Sequence, residues 1–191
     1  MTRLLHAEEF ERKFHTFRSS VFRLETLQVY AGSGEDDAIE AFERGDLSPP
    51  PDPEQDAWEA MIRANLAASR TMQRVHVITE PLTPYMRFEL AWAYPPNIAA
   101  GEDVRVVAAD DGWPSTLPHM DFWLFDDSEV LVAQYEANGS WLGVEQIDDA
   151  RLLADARMWQ AAAVAASMPW ADYMQRHPAL LARVPAGVRH G

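Results

Sequence analysis

Phe10, Phe14, Phe17 and Val21 recur at helical spacing, which predicts an amphipathic helix over 7–19. The period then changes. Phe22-Arg23-Leu24-Glu25 alternates apolar and polar and shifts phase at Leu27 and Val29, so 21–29 reads as a strand with room for a bulge. Glu35 to Arg44 carries Ile39 and Phe42 on one side and meets Gly45, a helix with a glycine stop. Ser48-Pro49-Pro50-Pro51 is a stiff, extended connector. Asp52 as N-cap, Pro53 at the first helical position and Gln55 three after the cap open the next helix. Its stripe is Trp58, Met61, Ile62 and Leu66. Arg74-Val75-His76-Val77-Ile78 alternates again, as a strand. Thr83-Pro84 starts a helix whose Met86, Phe88, Leu90, Ala91 and Trp92 are apolar nearly all round, the pattern of burial. Tyr94-Pro95-Pro96-Asn97 should break or kink it, and Val104 to Val107 is a further strand.

The second half carries the clearest β pattern. Residues 121–125, 130–133 and 141–144 are separated by Asp126-Asp127 and Asn138-Gly139, and predict a three-strand antiparallel meander. Asn-Gly is the preferred pair for a two-residue type I′ hairpin. Asp148 or Asp149 caps an Ala-rich helix to about Ser167, Pro169 and Pro178 begin two shorter helical segments, and 184–191 should fray. The strands expected near 21–29, 74–79, 104–108, 121–125, 129–136 and 141–147 alternate with helices early and form hairpins late. The fold class expected is α+β: a mixed, mainly antiparallel sheet of about five to six strands with a C-terminal three-strand meander, packed by helices. No repeat and no long linker interrupts the chain, so 1–191 reads as a single domain. It divides into the N-terminal helix at 7–19, a sheet with helices at 21–147 and a C-terminal helical segment at 148–183.

A chain of 191 residues needs no staple to fold, since at this size roughly 70% of the unfolded surface is buried. With no cysteine it holds no disulfide, thiol nucleophile or Cys-ligated metal. The net charge of -14 argues against direct nucleic-acid binding, which needs clustered cations. No apolar run is long enough to span a membrane and 1–17 lacks a signal-peptide core, so a cytoplasmic location is expected. The charge is uneven. Residues 31–60 hold ten acids and one base, and 101–150 hold twelve acids and one base. Such runs are most simply solvated, but they would also attract a partner more basic than this protein.

No phosphate-binding glycine loop, nucleophile elbow or histidine metal spacing occurs, so no catalytic residue, metal ligand or cofactor is assigned. Three groups remain. Arg74 and His76 share a strand face, and with Glu80, Arg87, Glu89 and Tyr94 nearby in sequence they form a candidate ligand-binding group: Arg74, His76, Arg87, Glu89 and Tyr94. The bland alternative is a structural ion pair. Arg87 opens a buried helix at its positive dipole end, so a carboxylate from Glu25, Glu80 or Glu89, or a bound anion, must offset it. His119, Asp121, Asp126 and Asp127 flank a strand, too far apart for one site, and are expected as turn residues. The aromatic set Tyr85, Trp92, Tyr94, Trp113, Phe122, Trp123, Phe125 and Trp141 is mainly core.

One composite pattern reaches further. Phe22-Arg23-Leu24-Glu25-Thr26-Leu27, Arg74-Val75-His76-Val77, Glu80-Pro81-Leu82, Arg87-Phe88-Glu89-Leu90, Tyr94, Asn97, Ala100-Gly101-Glu102 and Asp121 to Asp127 together resemble an actinobacterial family of small cytoplasmic proteins of unknown function, often encoded beside helix-turn-helix regulators. The resemblance covers about 20–175 and implies a regulatory context without a catalytic residue. The reading therefore leans away from an enzyme, toward an uncharacterised acidic accessory factor that binds a more basic protein, a helix-turn-helix regulator being one candidate. The alternative is a small-anion sensor or enzyme built on Arg74, His76 and Arg87. Nucleic-acid mimicry by the two acidic runs is a weaker third.

Overall fold

The computed structural model describes residues 2–32 and 34–185, so the fraying expected toward 191 lies outside the described residues from 186 onward. In chain order the elements are β1 (Thr2–Leu5), α1 (Ala7–Thr16), β2 (Ser20–Glu25), α2 (Asp36–Arg44), α3 (Pro53–Ala67), β3 (Thr71–Ile78), α4 (Pro84–Phe88), a π-helical turn (Glu89–Ala93), α5 (Tyr94–Ala100), β4 (Asp103–Ala108), β5 (Phe122–Phe125), β6 (Glu129–Tyr135), β7 (Trp141–Ile147), α6 (Ala150–Ala166), β8 (Met168–Pro169), α7 (Trp170–Met174) and α8 (Pro178–Leu181).

All strands join one sheet of eight, in the order β1-β7-β6-β5-β2-β3-β4-β8. The α+β class and mixed sheet match the expectation, but the count of five to six strands was too low. The two additions are edge strands. β1 has four residues and β8 two, too short for alternation to register, and each is held by pairing to a longer strand. β2–β3 and β3–β4 are parallel, and the other five pairings are antiparallel.

The period-two alternation sorts the sheet into two faces. Phe22, Leu24, Val75, Val77, Phe122 and Leu124 face the α6 side and pack with Ala156 and Ala163. The other face is covered by α1, α3, the π-turn region and α7, through Phe14, Met61, Ile62, Leu90, Trp92 and Tyr173. β3 lies inside the sheet with both faces covered, so Arg74 and His76 are as buried as Val75 and Val77. The polar half of its alternation therefore faces a second core layer rather than water.

Several local expectations hold for the reasons given. The Asp52 carboxylate accepts from the amides of Glu54 and Gln55, Thr83 Oγ1 accepts from Met86 N, and Gly45 ends α2 at φ +90°. Others need correction. The first helix stops at Thr16, because Phe17 is already extended at ψ 155°. The two β-turns differ from the expectation. Asp126 and Asp127 both have positive φ, 53° and 54°, in a turn closed by Ser128 N donating to the Phe125 carbonyl, and Phe125 pairs with Glu129 across it. In the Asn138-Gly139 connection only Gly139 is left-handed, and the loop spans Glu136 to Ser140 with a register shift at Gln134/Tyr135. Asp126 is held in its unusual conformation by its own carboxylate, which accepts from the backbone amides of Arg18, Ser19 and Ser20 at 2.7–3.3 Å.

The break expected at Tyr94-Pro95-Pro96 takes a different form. The helix runs from α4 through the π turn into α5, with the prolines in α5's first turn. A π turn re-spaces the backbone bonds, so a ring without an N–H is tolerated where a regular helix would kink.

Gly139 ties the loop after β2 to the β6–β7 turn, its carbonyl accepting from Ala31 N at 3.0 Å. A Cβ there would stand 2.5 Å from the Val29 carbonyl oxygen at φ +86°. Gly139→Ala should therefore lose about 2–5 kcal/mol by urea denaturation, strain and overpacking together. Gly45→Ala, at open φ +90°, should lose only about 1–2 kcal/mol.

Candidate functional site

The helix-rich face of the central strands carries a run of ionisable side chains in register. Arg23 and Glu25 on β2 lie beside Arg74 and His76 on β3, and Arg23 also lies beside Trp123 on β5. Two arginines on adjacent strands would repel. Glu25 answers both: its Oε1 is 2.8 Å from Arg23 and 3.2 Å from Arg74. Glu102, at the entry to β4, takes Arg74 Nε at 2.9 Å. The Arg74 guanidinium is thus bracketed by two carboxylates, and Arg74, Glu25 and Glu102 are all buried.

Two neutral groups extend the network. The Tyr94 hydroxyl lies 3.1 Å from Glu25 Oε2 and 2.6 Å from His76 Nδ1. His76 Nε2 faces the Leu27 carbonyl at 2.7 Å, so that nitrogen carries the proton in the neutral ring. Burial pushes the His76 pKa down. On the far side Asp121 accepts from Thr26 N at 2.8 Å, Thr26 Oγ1 at 2.6 Å and Tyr30 OH at 2.6 Å. This fixes the chain just after β2 and stands Tyr30 beside the network.

Above the network opens a cleft of about 500 Å³. Arg23, Glu25, Arg74 and Glu89 form its floor, Trp58, Trp123 and Trp141 its walls with Tyr30, Tyr85 and Tyr135, and Glu35, Asp52 and Glu54 also line it. The aromatic walls are continuous. Trp141 lies 6.2 Å from Trp123, 5.4 Å from Tyr135 and 6.0 Å from Phe10 between ring centres, and Trp58 lies 5.1 Å from Phe14. Arg23 stacks on Trp123 at 4.6 Å. Its buried Nε has no hydrogen-bond acceptor among the described residues.

The two floor carboxylates behave in opposite ways. Burial alone would raise Glu25, but the charges of Arg23 and Arg74 override it and hold the group near 2. Glu89 has no such neutralising pair. Burial, reinforced by the charges of Glu35 and Glu25, pushes it up to about 8. It makes a short hydrogen bond with the Tyr85 hydroxyl, one turn earlier. Glu89 is thus a proton carrier at neutral pH, and Glu25 is a fixed anion. Glu89 is also the first residue of the π turn, a distortion that often accompanies functional sites.

Of the five residues singled out in sequence, Arg74, His76, Glu89 and Tyr94 meet at or beneath this cleft. Arg87 does not. It is exposed, lines a separate cleft with Phe42 and His177, and has no ion pair with a described residue. The buried ion pair expected for it is not there, because α4 turns that side outward while Tyr85, Met86 and Phe88 are buried. Glu80, its other expected partner, instead accepts from Tyr173 OH at 2.8 Å. The sequence reading passed over Arg23, Glu102 and Tyr30. The signal for Arg23 and Glu25 was the polar half of a strand whose apolar half is core. Three acids of the second run are structural: Glu102 and Asp121 are buried and Asp126 binds backbone amides, while Asp103, Asp110, Asp111, Asp127, Glu136, Asp148 and Asp149 are exposed. His119 stacks on Trp113 at 4.1 Å, away from Asp126.

The sequence model of a domain of unknown function, DUF6879, matches residues 8–175. The chain belongs to this family. That span takes in the whole floor network and all three wall tryptophans, Trp58, Trp123 and Trp141. No curated protein matches the sequence. Among solved structures, the Nuc protein of Salmonella typhimurium, a phospholipase D family member, superposes with TM-score 0.48 at 7% identity, over 88% of this chain and 97% of Nuc. TrmBL2, an archaeal chromatin protein that binds DNA, superposes with TM-score 0.42 at 12% identity, over 88% of this chain and 54% of that one. Neither likeness bears on function. No helix among the described residues is long and apolar enough to cross a membrane.

The network generates two predictions. Arg74→Met should strand Glu102, leave Glu25 to Arg23 alone, and cost about 3–5 kcal/mol in denaturant unfolding. Glu89 binds its proton more tightly folded than unfolded. Its contribution is complete below the unfolded value near 4.5 and is lost as pH rises through about 8. That contribution should fall between about pH 4.5 and 8, opposed by His76, whose lowered pKa adds stability as pH rises toward 6.5, and Glu89→Gln should make the slope of unfolding free energy against pH more positive than in the parent.

Proposed function

We propose that the protein is a ligand-binding module whose aromatic cleft takes a small organic cation, an amine or quaternary ammonium on an apolar body. The observation that carries this reading is the joining of continuous aromatic walls to an acidic lining. Five carboxyl groups line the cleft, Glu25, Glu35, Asp52, Glu54 and Glu89, of which Glu89 keeps its proton, against Arg23 and Arg74. The Arg74 charge is answered within the protein by Glu25 and Glu102. Aromatic faces attract cations, and the effect grows as the site loses water. α2 and the start of α3 also expose Asp36, Asp37, Glu40 and Asp56, which extend the negative field. In this reading Arg74, His76 and Tyr94 position the floor, and Glu89 with Tyr85 meets the ligand. His76 acts through Tyr94, because it is fully buried.

A second reading is favoured by the same exposed acids: an accessory role in which this face receives a basic protein, such as a helix-turn-helix regulator. The two readings combine naturally in a sensor, but they make separate demands. A partner held by charge should dissociate as salt rises and should be indifferent to the aromatic walls.

Titration with benzyltrimethylammonium, followed by tryptophan fluorescence, tests the first reading. Saturable binding is expected, with neopentylbenzene, its uncharged isostere, at least tenfold weaker. Trp141→Ala removes a 43% exposed ring and should weaken the cation about tenfold with little change in melting temperature. Equal binding of the uncharged compound would reject a cation site. Salt-sensitive capture of a purified regulator that survives Trp141→Ala would instead support the partner reading.

A further inference from the structure

A second cleft, of about 550 Å³, lies where α2, α4 and α8 meet. Its walls are apolar: Phe42, Leu82, Pro84, Pro178 and Leu180 line it. Its polar side chains are Arg87, Arg183, His177 and Glu43. His177 Nε2 lies 3.1 Å from Glu80 Oε1 but makes no hydrogen bond with a described residue.

The two arginines are placed differently. Arg183 is built into the wall. Its guanidinium stacks on the Phe42 ring at 3.4 Å and donates to the Phe42 carbonyl, while its own carbonyl accepts from Trp92 Nε1 at 3.1 Å. Arg87 is exposed and has no hydrogen bond or ion pair from its side chain to a described residue. The two are close enough to oppose each other: Arg183 is shifted down by burial and then by the charge of Arg87. A chain with 30 acids and 16 bases has carboxylates to spare for any cation that needs one. Two guanidiniums nevertheless share an apolar cleft with Glu43 as its one lining acid among the described residues.

We propose that this cleft is a second binding site, for a phosphate monoester on an apolar body, with Arg87 and Arg183 holding the phosphate and Phe42, Leu82 and Leu180 the body. A dianion balances the charge of two guanidiniums, which a monoanionic carboxylate leaves half-neutralised, and planar guanidiniums match phosphate oxygens in pairs. The stacked Arg183 is pre-ordered, so little side-chain freedom is lost when it binds. Arg87 supplies the movable half of the clamp.

The test is an amide NMR titration of the full chain with phenyl phosphate, with benzoate and phenol as the arms that remove charge, all at fixed ionic strength. Saturable shifts are expected at Glu43, Leu180 and Arg183, with benzoate about tenfold weaker and phenol weaker still. Arg87→Gln should weaken phenyl phosphate at least tenfold while the melting temperature stays level or rises, since a like-charge contact is relieved. Arg87→Lys should recover part of the loss. Equal affinity for benzoate would overturn the phosphate assignment. Shifts that leave these residues untouched, or affinity unchanged in Arg87→Gln, would overturn the site. A melting temperature lowered by several degrees in Arg87→Gln would make Arg87 a structural residue and overturn its role in binding.

Discussion

The structure turns on the pairing of Arg74 with Glu25 and Glu102 inside a covered sheet. A guanidinium in that position is tolerable only if its charge is answered and its donors are filled. β2 supplies one carboxylate and the start of β4 supplies the other, so the ion network bridges the three strands that form the parallel part of the sheet. Strand register and ion pairing enforce each other. A one-residue slip of β2 against β3 would turn Glu25 to the α6 face and set Phe22 or Leu24 against Arg74.

The aromatic cleft inherits its order from that floor. Glu25 positions Tyr94 and Arg23, Arg23 stacks on Trp123, and Trp123 supports Trp141. Asp121 holds Tyr30 from the opposite side. The same field explains why the two floor carboxylates diverge. Glu25 lies between cations and stays ionised, whereas Glu89, desolvated by burial and near the charges of Glu35 and Glu25, keeps its proton. One fold thus presents a fixed anion and a proton donor in one cleft, without either needing an unusual backbone beyond the π turn that carries Glu89.

Charge is distributed by the same logic. Three acids of the second run, Glu102, Asp121 and Asp126, are drawn into the core or into backbone binding, where each is satisfied. The exposed acids of that run, and most acids of the first run on α2 and α3, stay on the outside. Carboxylates close in sequence therefore end in two different settings. What separates them is whether a cation or a set of amides faces the carboxylate, which depends on elements distant in sequence.

The sequence by itself determined the local grammar. Alternation marked the inner strands, Asp52-Pro53 and Thr83-Pro84 marked helix starts, and Arg74, His76, Glu89 and Tyr94 stood out as polar groups within apolar surroundings. These features are legible because they depend on neighbours a few residues away. Tertiary structure decided the rest. Edge strands of four and two residues exist only through their pairing partners. The left-handed turn at Asp126-Asp127 is tied down by the amides of Arg18, Ser19 and Ser20, over a hundred positions away, which hold the Asp126 carboxylate. Arg87 left the group it neighbours in sequence because burial of Tyr85, Met86 and Phe88 turned it outward toward Arg183. Spacing along a chain fixes which face a residue takes. Only the packed elements fix which charges and rings that face meets.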